Sequence, residues 1–568
     1  MGAERRKPGV GRCRAGRARG AQAARRRHAR RLRFAVRERL HRDGDLRRPA
    51  AVTDSQEGWE AGATNWVVVS SSNDLTRRRL LQLMALTAGA AALPRVGLPR
   101  PLVPLPLSYD DGSNAIPPGA AGEVRRVVII GAGFAGLAAA NALGNAGVPC
   151  VVLEGRDRIG GRARTVDVGG SPVDLGCSWI TDPVGNPMTT FATQAGVLQT
   201  NASIELDVPE SRFYDERTGV VLPTSTLQAA AHALRFEEID ASNISAKLGP
   251  KATTKDGILT YIKQQQLAGD AARFAEFFLR LIVELPDATD WDLDSLQYWA
   301  NYDSPYVGFG EGDFPVGGYS RIVRALGGSV DVRLRHRVTR VIVERNGVRV
   351  LARDFAGIQR TFEGSHALVT VPLGVLKSGA ISFSPSLPAW KRAAIGRLGF
   401  GTFEKVAMRF PEPYWATEHA HIFHLSYPNA MDFPLIVDYF FIEKVPILVA
   451  FNTGRHAIAL DGKSDGEITA RMLHVLRAVQ GGPIPKPTRV VITRWGRDPF
   501  TRGSYSYIKI GSSPADQDAL AAPVAGRLLF AGEASSAARF GYADGAFSTG
   551  IREAKRLLRA RSVQLRAS

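Results

Sequence analysis

Residues 125–154 constrain the fold of this chain more than any other part of its sequence, and they read RRVVIIGAGFAGLAAANALGNAGVPCVVLE. The apolar run Val127–Ile130 predicts a buried parallel strand, and the alanine-rich segment after it predicts a helix that ends near Gly147. A second apolar run, Cys150–Leu153, predicts another strand. This strand–helix–strand order predicts an α/β fold built on a Rossmann-type parallel sheet.

Three glycines at the first strand–helix turn have the spacing of a dinucleotide-binding motif. Gly131, Gly133 and Gly136 follow the first strand in the order G-x-G-x-x-G. Glycine permits the tight turn and lets the backbone approach a pyrophosphate, which lies at the positive N-terminus of the helix. Glu154 ends the second strand, where a carboxylate accepts hydrogen bonds from adenosine ribose hydroxyls. Glycines at this spacing also occur in ordinary strand–turn–helix units, but the acidic residue at the end of the unit favours dinucleotide binding.

The segment after the second strand, GRDRIGGRART, adds another turn and two cations. Gly161 lies at the turn, and the guanidinium groups of Arg156 and Arg162 can neutralise phosphate with bidentate geometry. Arg158 and Arg164 are interpreted as surface or structural charges. The segment therefore extends the predicted phosphate site beyond the glycine turn.

From about residue 123 to residue 560 the chain resembles the flavin-containing amine oxidases, a family that includes monoamine and polyamine oxidases. The resemblance begins in the GRDRIGGRART segment and favours FAD over NAD as the cofactor. It implies a Rossmann-type FAD-binding domain and a discontinuous second α+β substrate domain. The FAD-binding domain would comprise residues 123–205, 314–375 and 491–568, and the substrate domain residues 206–313 and 376–490.

Four later segments resemble the flavin-contacting segments of the family. They are VDLGCSWITDPVGNPM, RHRVTRVIVERNGVRV, TRWGRDPFTRGSYSYIKIG and LLFAGEASSAARFGYADGAF. The resemblance implies that Trp495 and Phe500 pack beside the flavin and that Glu533 contacts its ribityl chain. Two other residues in these segments have an ordinary structural alternative: Val338 could be a plain core valine, and Cys177 a small buried side chain that fills space. The residues that the sequence predicts for FAD binding are Gly131, Gly133, Ala135, Gly136, Glu154, Arg156, Gly161, Arg162, Gly176, Ser178, Trp179, Val338, Trp495, Gly532, Glu533, Tyr542 and Ala543.

Three side chains are implied in catalysis by the same resemblance. In GFGTFEKVAMRF, Lys405 matches the lysine that reaches flavin N5 through a water, although strand alternation also allows a solvent-facing position. Tyr505 and Tyr542 match the two walls of the aromatic cage. Lys377 and Lys391 are assigned to the surface.

The chain also departs from the pattern of its family. Ser504 stands where animal monoamine oxidases attach flavin through a cysteine, so the FAD is expected to be noncovalent. Arg539 and Phe540 stand where relatives often have Tyr-Pro, which puts the pocket rim in doubt. Tyr542 favours a monoamine-oxidase arrangement, whereas the GNPM and GSYSY segments are more typical of the polyamine branch.

The resemblance implies oxidation of an amine, with dioxygen as the electron acceptor and hydrogen peroxide as a product. The expected partners are therefore a small-molecule amine and dioxygen, with a homodimer as an open possibility. An L-amino-acid oxidase, in which Arg539 would hold the substrate carboxylate, or a desaturase are alternatives on the same fold. A catalytically idle FAD-binding scaffold and a flavoprotein associated with nucleic acid are alternatives from other classes.

The composition argues against nucleic-acid binding by the folded part and against a metal site. The formal net charge is +19, but residues 1–50 alone contain 18 Arg and Lys against 4 Asp and Glu. The excess is thus concentrated in a tail, residues 1–70, that is expected to be disordered and solvated because it lacks apolar periodicity. The cysteines, Cys13, Cys150 and Cys177, are too few and scattered for a zinc site or a disulfide framework.

Residues 71–122 have the layout of an export signal followed by a Pro-rich linker. Arg77, Arg78 and Arg79 precede an apolar segment, Leu80 to Leu93, as in a twin-arginine signal. The segment has 14 residues, whereas a membrane-spanning helix needs roughly 20, so no stable membrane anchor is expected. Export to the periplasm, the cell envelope or the medium is predicted; a short buried helix in a cytoplasmic protein is the alternative.

Overall fold

The computed structural model describes residues 123–183, 185–203, 211–302, 313–415, 421–427 and 431–565. The arginine-rich tail and the export signal expected from the sequence lie outside these residues. In the described ranges, no helix combines the length and the apolar character that crossing a membrane requires.

Strands and helices are interspersed along the described residues, often in runs of several strands or several helices. The strands are β1 (Val127–Ile130), β2 (Cys150–Leu153), β3 (Thr165–Asp167), β4 (Pro172–Asp174), β5 (Leu198–Ser203), β6 (Ser211–Asp215), β7 (Gly219–Val220), β8 (Asp313–Pro315), β9 (Val332–Arg333), β10 (Arg337–Glu344), β11 (Gly347–Arg353), β12 (Gln359–Gly364), β13 (His366–Val369), β14 (Ser382–Ser384), β15 (Gly399–Phe400), β16 (Phe403–Arg409), β17 (His421–Leu425), β18 (Leu435–Asp438), β19 (Ile447–Thr453), β20 (Arg489–Ile492), β21 (Ser506–Tyr507) and β22 (Leu528–Phe530). The helices are α1 (Phe134–Asn145), α2 (Pro187–Gln194), α3 (Pro223–Arg235), α4 (Ala241–Leu248), α5 (Thr254–Gln264), α6 (Gly269–Asp287), α7 (Leu296–Trp299), α8 (Ser320–Gly327), α9 (Leu373–Lys377), α10 (Ala389–Arg397), α11 (Tyr439–Glu443), α12 (Gly454–Asp461), α13 (Asp465–Gln480), α14 (Pro514–Ala521) and α15 (Ala543–Leu565). A π-helical turn (Phe236–Asp240) and a 3-10 turn (Glu533–Ser535) complete the set.

A five-stranded parallel sheet forms the centre of the first layer, in the order β22-β13-β1-β2-β9. Strands β1, β13 and β22 are mostly apolar and fully buried, because both faces of the sheet are covered, as in other parallel sheets. Helices α1 and α15 pack closely on one face, where a Cβ added at Gly550 would lie 2.1 Å from the carbonyl oxygen of Ala135. The predicted α/β class with a parallel sheet is confirmed.

A four-stranded sheet, β12-β11-β10-β14, covers the other face of the parallel sheet. Val338 lies on β10, paired with Ala352 of β11, so the predicted hairpin is present. Its side chain is buried in the apolar cluster that joins the two sheets. This cluster holds the ends of β1 and β2, and with them the glycine turn, in place.

A seven-stranded sheet, β20-β16-β19-β18-β17-β6-β7, forms the second layer and is mostly antiparallel. Helices α3, α5 and α6 cover one face, and α12 and α13 cover the other. Along β16, Phe403 and Ala407 pack with the first set of helices, whereas Val406 and Met408 pack with the second. Successive side chains of a strand point to opposite faces of the sheet, and Lys405 is two residues from both Phe403 and Ala407. Its side chain therefore lies on the same face as theirs, away from α12 and α13.

Two helices, α5 and α6, follow each other in this part of the chain. Helix α5 begins at a capping box between Thr253 and Asp256, and it ends before Gln266, which has a left-handed backbone (φ 55°). Helix α6 then runs to Asp287, where Ala288 adopts φ 51°. Helix α6 therefore ends abruptly at Asp287, close to the candidate active site.

The expectation that Lys391 lies on the surface is wrong. Its side chain is fully buried, and its Nζ donates hydrogen bonds to the carbonyl oxygens of Leu520 (2.8 Å) and Ala522. These carbonyls belong to the C-terminal end of α14, where a cation is favoured by the helix dipole. The ammonium also lies 3.9 Å from the ring centroid of Phe530, and burial lowers its pKa to about 7.

Candidate active site

The glycine turn lies between β1 and α1 and has one open side. A Cβ at Gly136 would lie 2.0 Å from the carbonyl oxygen of Gly131, so this close approach requires glycine. Gly131 itself has φ 111°, a conformation that other residues rarely adopt. At Gly133 an added Cβ would meet no atom within 4 Å, and this residue keeps some exposure although Ala132 and Phe134 on either side of it are buried. The turn therefore faces a cleft.

Glu154 and Arg156 lie at the end of β2, beside this turn. The Glu154 carboxylate accepts hydrogen bonds from the backbone amides of Ala132 (2.8 Å) and Arg156 (2.9 Å), which fix its orientation. Arg156 pairs with Asp498 (2.7 Å) and lies over the ring of Phe500. Its Nη2 is buried and has no hydrogen-bond partner in the described part of the chain. A buried donor without a partner fits a ligand phosphate or hydroxyl.

At Gly176, the segment VDLGCSWITDPVGNPM packs against the turn that contains Gly161. A Cβ at this position would lie 1.6 Å from the carbonyl oxygen of Arg162, so only glycine fits. At the turn itself, the carbonyl oxygen of Gly161 accepts a hydrogen bond from Arg158 (2.8 Å), which gives that arginine the structural position expected for it. Trp179, three residues beyond Gly176, is half-buried and stacks on Phe451.

Glu533 joins three distant parts of the chain. One oxygen accepts from Arg162 (2.7 Å), and the other accepts from the Ser506 hydroxyl (2.5 Å) and the backbone amide of Gly541 (2.9 Å). Gly532, just before it, has φ 130°, and an added Cβ would have its nearest neighbour at 3.9 Å. Gly532, like Gly133, therefore has open space beside its backbone.

Lys405 is buried, so the interpretation that it faces solvent is wrong. Its Nζ donates to the carbonyl oxygens of Asp174 (3.1 Å) and Gly176 (2.7 Å) and to the hydroxyl of Ser178. The ammonium also lies 5.7 Å from the ring centroid of Trp179. Burial lowers the pKa of Lys405 to about 8, although the nearby Asp174 carboxylate opposes this shift.

Tyr505 and Tyr542 come from different segments and lie near each other. The Tyr505 hydroxyl donates to the carbonyl oxygen of Leu285 (2.6 Å), and its ring edge lies 3.5 Å from where Gly541 would carry a Cβ. Both tyrosines keep some exposure, yet burial raises the pKa of Tyr542 to about 12 and that of Tyr505 well above its usual value.

Arg539 lies against the ring of Tyr542 and forms ion pairs with two carboxylates. Its guanidinium donates to Asp544 (2.7 Å) and Asp182 (2.6 Å), and it lies 4.0 Å from the ring centroid of Tyr542. Only 3% of the Arg539 side chain is exposed. This arrangement fixes one wall of the predicted cage.

The remaining predicted residues lie around the same cleft. Trp495 is buried and donates from Nε1 to the carbonyl oxygen of Leu175 (3.2 Å), and Ala543 begins α15. Phe500 packs instead against Gly155, at the end of β2, which is the predicted adenosine end of the cleft. The free cysteine at position 177 is half-buried, and burial raises its pKa well above the usual value.

Two acidic groups near the site were not identified from the sequence. Asp174 is buried and accepts hydrogen bonds from the Thr165 hydroxyl (2.5 Å) and the backbone amide of Tyr319 (3.0 Å), and burial raises its pKa to about 7. Asp287 ends α6 near the tyrosines. In the sequence, Asp174 could have been found from its position within the segment VDLGCSW. Asp287 could have been found from the acidic character of the segment ELPDATDWDLD.

These features fit an extended dinucleotide such as FAD. The cleft has glycines that leave room for a ligand, an acidic group at the end of β2, a buried arginine donor, and a carboxylate beside an arginine at its other end. The residues that would hold the cofactor are Gly131, Gly133, Glu154, Arg156, Arg162, Gly532 and Glu533.

The sequence matches the family model described as flavin containing amine oxidoreductase over residues 134–558. The chain belongs to this family, whose cofactor is FAD.

Two relatives and one solved structure show how far the likeness extends. The chain is similar to lysine-specific histone demethylase 1 homolog 1 of Oryza sativa subsp. japonica (34% identical over 463 residues, 76% of this chain and 52% of the relative) and to Protein FLOWERING LOCUS D of Arabidopsis thaliana (35% over 441 residues, 75% and 54%). It thus spans about half the length of these relatives. Wild-type putrescine oxidase bound to putrescine is a structural neighbour, with a TM-score of 0.62 and 22% identity over 77% of this chain and 99% of that chain, a likeness that shows the fold.

Proposed function

We propose that this chain is an FAD-dependent amine oxidase that uses dioxygen as its electron acceptor. The observation that supports the proposal best is the position of Lys405, a buried ammonium that donates to Gly176 and Ser178, in a chain that also places Tyr505 and Tyr542 near each other. Membership of the amine oxidoreductase family supports an amine as the group oxidised. The names of the plant relatives, lysine-specific histone demethylases, also concern a substrate with an amine nitrogen.

In the proposed reaction the two tyrosines orient the substrate. A neutral amine would lie between the rings of Tyr505 and Tyr542, whose hydrophobic faces exclude water and limit its movement. The hydrogen bond from the Tyr505 hydroxyl to Leu285 and the contact of Arg539 with the Tyr542 ring hold both rings in place. FAD would be held by the glycine turns, Glu154, Arg156, Arg162 and Glu533, and it would supply the redox chemistry: a two-electron oxidation of the amine to an imine, coupled to reduction of dioxygen to hydrogen peroxide. Water then hydrolyses the imine product.

Lys405 would provide a positive charge and a proton donor in a dry environment. With a pKa of about 8, its side chain is protonated for most molecules at pH 7. Its charge favours the negative charge that develops as dioxygen is reduced. Its hydrogen bonds to the carbonyl oxygens of Asp174 and Gly176 keep the ammonium at one position.

An amino-acid oxidase is a weaker candidate. Such an enzyme needs a cation for the substrate carboxylate, and Arg539 was the candidate from the sequence. Asp544 and Asp182 already neutralise its guanidinium at 2.7 Å and 2.6 Å, so a third carboxylate would meet excess negative charge. An idle scaffold would have no need of a buried, desolvated lysine beside the cleft, since such burial is costly.

An absorption spectrum followed by a peroxide-coupled amine screen tests the proposal. We expect purified protein to show the spectrum of bound flavin and to release hydrogen peroxide with tyramine or spermidine, and not with a panel of L-amino acids. A flavin-loaded protein that oxidises no amine would refute the proposed activity. Peroxide release with L-amino acids alone would favour the amino-acid oxidase.

A further inference from the structure

Glu404 is a buried carboxylate that the proposed mechanism does not use. It precedes Lys405 on β16, so its side chain lies on the opposite face of the sheet, towards α12 and α13. Only 1% of the residue is exposed, and within the described ranges its carboxylate forms no ion pair. Burial of a carboxylate without a cation is costly, which makes the hydrogen-bond partners of Glu404 informative.

Both oxygens of the Glu404 carboxylate hold the segment that follows β20. The Oε2 atom accepts from the Thr493 hydroxyl (2.5 Å), which in turn accepts from the backbone amide of Lys405 (2.7 Å). The Oε1 atom accepts from the backbone amide of Gly496 (3.0 Å). The carboxylate therefore fixes the turn at Trp495 and Gly496 relative to β16.

Trp495 connects this turn to the acceptors of the Lys405 ammonium. Its Nε1 donates to the carbonyl oxygen of Leu175 (3.2 Å), and the next residue, Gly176, accepts from Lys405 Nζ (2.7 Å). Because Leu175 and Gly176 are adjacent and the peptide bond between them is planar, displacing the first carbonyl also displaces the second. A closed series of contacts thus passes around β16, from the Glu404 side chain to the ammonium of its neighbour.

Three charged side chains lie near Glu404 on its face of the sheet. Asp461, the last residue of α12, lies across the Gly496 backbone, since a Cβ added at Gly496 would lie 2.3 Å from its Oδ2. Burial and the charge of Asp461 raise the pKa of Glu404 to about 7. Burial also raises the pKa of Asp461, and the nearby Arg494 and Arg497 oppose this shift.

Other groups act on Lys405 from the opposite face. Burial lowers the pKa of Lys405 to about 8, and Asp174 and Cys177 oppose this shift. At pH 8 the Glu404 carboxylate is ionised in most molecules, because its pKa is about 7. Both oxygens of Glu404 are therefore acceptors at the pH at which Lys405 loses its proton.

We propose that Glu404 is a positioning residue for Lys405, because it holds the turn whose indole, that of Trp495, fixes the carbonyl acceptors of the ammonium. With these acceptors displaced, the charged form of Lys405 is less favoured. Glu404 lies on the far face of the sheet and takes no part in the oxidation itself. Its effect on the rate rests on the proposed reduction of dioxygen, whereas its effect on the charge of Lys405 does not.

The titration of Lys405 tests the proposal without use of the activity. FAD-loaded protein carries lysine labelled with carbon-13 at Cε, and the NMR signal of Lys405 is the one that is missing in Lys405→Met. We expect its midpoint at about pH 8 in the wild type. In Glu404→Leu the midpoint should fall by about one pH unit, since a lost hydrogen bond to a charged group accounts for a change of that size. Glu404→Gln, whose amide oxygen can still accept from Gly496, should stay close to the wild type.

Two further variants separate positioning from a general effect on the fold. Trp495→Phe keeps a ring and removes the donor to Leu175, so it should reproduce the shift. Asp438→Leu removes another buried carboxylate of the same sheet, which accepts from Trp415 (2.8 Å), and it should leave the midpoint unchanged. An unchanged midpoint in Glu404→Leu, or an equal shift in Asp438→Leu, would overturn the proposal. If Glu404→Leu does not fold, the midpoint in Trp495→Phe decides.

Reoxidation of chemically reduced flavin separates this inference from the proposed function. Flavin reduced with dithionite and mixed with dioxygen reports reoxidation without an amine. We expect the pH step of reoxidation to move with the Lys405 midpoint in Glu404→Leu. A midpoint that moves while reoxidation is unchanged supports the positioning role of Glu404 and refutes the role of Lys405 in the reduction of dioxygen.

Discussion

The carboxylate of Glu533 and the guanidinium of Arg162 lie 2.7 Å apart, although 371 positions separate them in the chain. Ser506 and Gly541 donate to the other oxygen of the same carboxylate. The cleft is therefore closed at this end by one carboxylate that connects segments from three parts of the sequence.

Replacing Glu533 by Gln should weaken both the fold and the cofactor complex. The ion pair with Arg162 is lost, which should lower the free energy of unfolding by about 2 kcal/mol, since Arg162 is partly solvated. We expect the dissociation constant of FAD, measured by fluorescence quenching, to rise at least about tenfold. Glu344→Gln, in an exposed pair with Arg349, is the control. Wild-type affinity in Glu533→Gln would exclude a role in holding FAD.

Replacing Gly133 by Ala should separate cofactor binding from folding. Gly133 has φ −83°, which alanine adopts readily, and the added methyl group would meet no protein atom within 4 Å. The apoprotein should therefore keep its Tm, while FAD affinity falls because the methyl group enters the predicted pyrophosphate position. Gly144→Ala, with equal space inside α1, should bind FAD normally. A Gly133→Ala protein with normal FAD affinity would contradict this assignment of the cleft.

The pKa of Lys405 predicts a pH dependence of flavin reoxidation. Its value of about 8 means that the ammonium is present below pH 8 and is lost above it. Because the positive charge favours electron transfer to dioxygen, the reoxidation rate should fall as the pH rises through about 8. Stopped-flow measurements between pH 6 and 10 provide the test.

Lys405→Met should remove this pH step and slow flavin reduction or reoxidation while FAD stays bound. The exposed Lys263→Met on α5 is the matched control, which should keep the wild-type profile. A step at the same pH in Lys405→Met would assign it to another group. Wild-type rates for both half-reactions would remove Lys405 from the mechanism.

Replacing Arg539 by Gln should destabilise the protein more than a surface substitution. Asp182 and Asp544 would remain buried without their cation, which should lower the free energy of unfolding by about 3–5 kcal/mol. Arg494→Gln breaks the pair with the exposed Asp465 and should cost less than about 1 kcal/mol. Denaturant unfolding compares the two variants. Equal losses would show that the Arg539 ion pairs contribute little.

The fold class and the cofactor were predictable from the sequence because their signals are local. The apolar run Val127–Ile130 and the glycines at 131, 133 and 136 determine a strand and a turn through backbone sterics and burial alone. Both the α/β class and FAD are confirmed. The motif match also indicated Lys405, although alternation along a strand could not decide which face of the sheet it occupies.

The burial and ion pairing of charged side chains were harder to predict, because both depend on partners that are distant in the sequence. Lys391 was assigned to the surface from its type alone, but α10 packs on the end of α14 and supplies carbonyl acceptors for it. Arg539 was a candidate for a substrate carboxylate until the fold placed Asp182 beside it, 357 positions away in the chain.

The amino-acid sequence by itself determined the strand–helix–strand unit, the glycine turn and the choice of FAD, since these follow from steric limits and apolar periodicity over a few dozen residues. The tertiary structure alone decided which carboxylates are neutralised. Electrostatic energies depend on distance and desolvation, and only the folded chain brings Arg162 to Glu533 and Arg539 to Asp182.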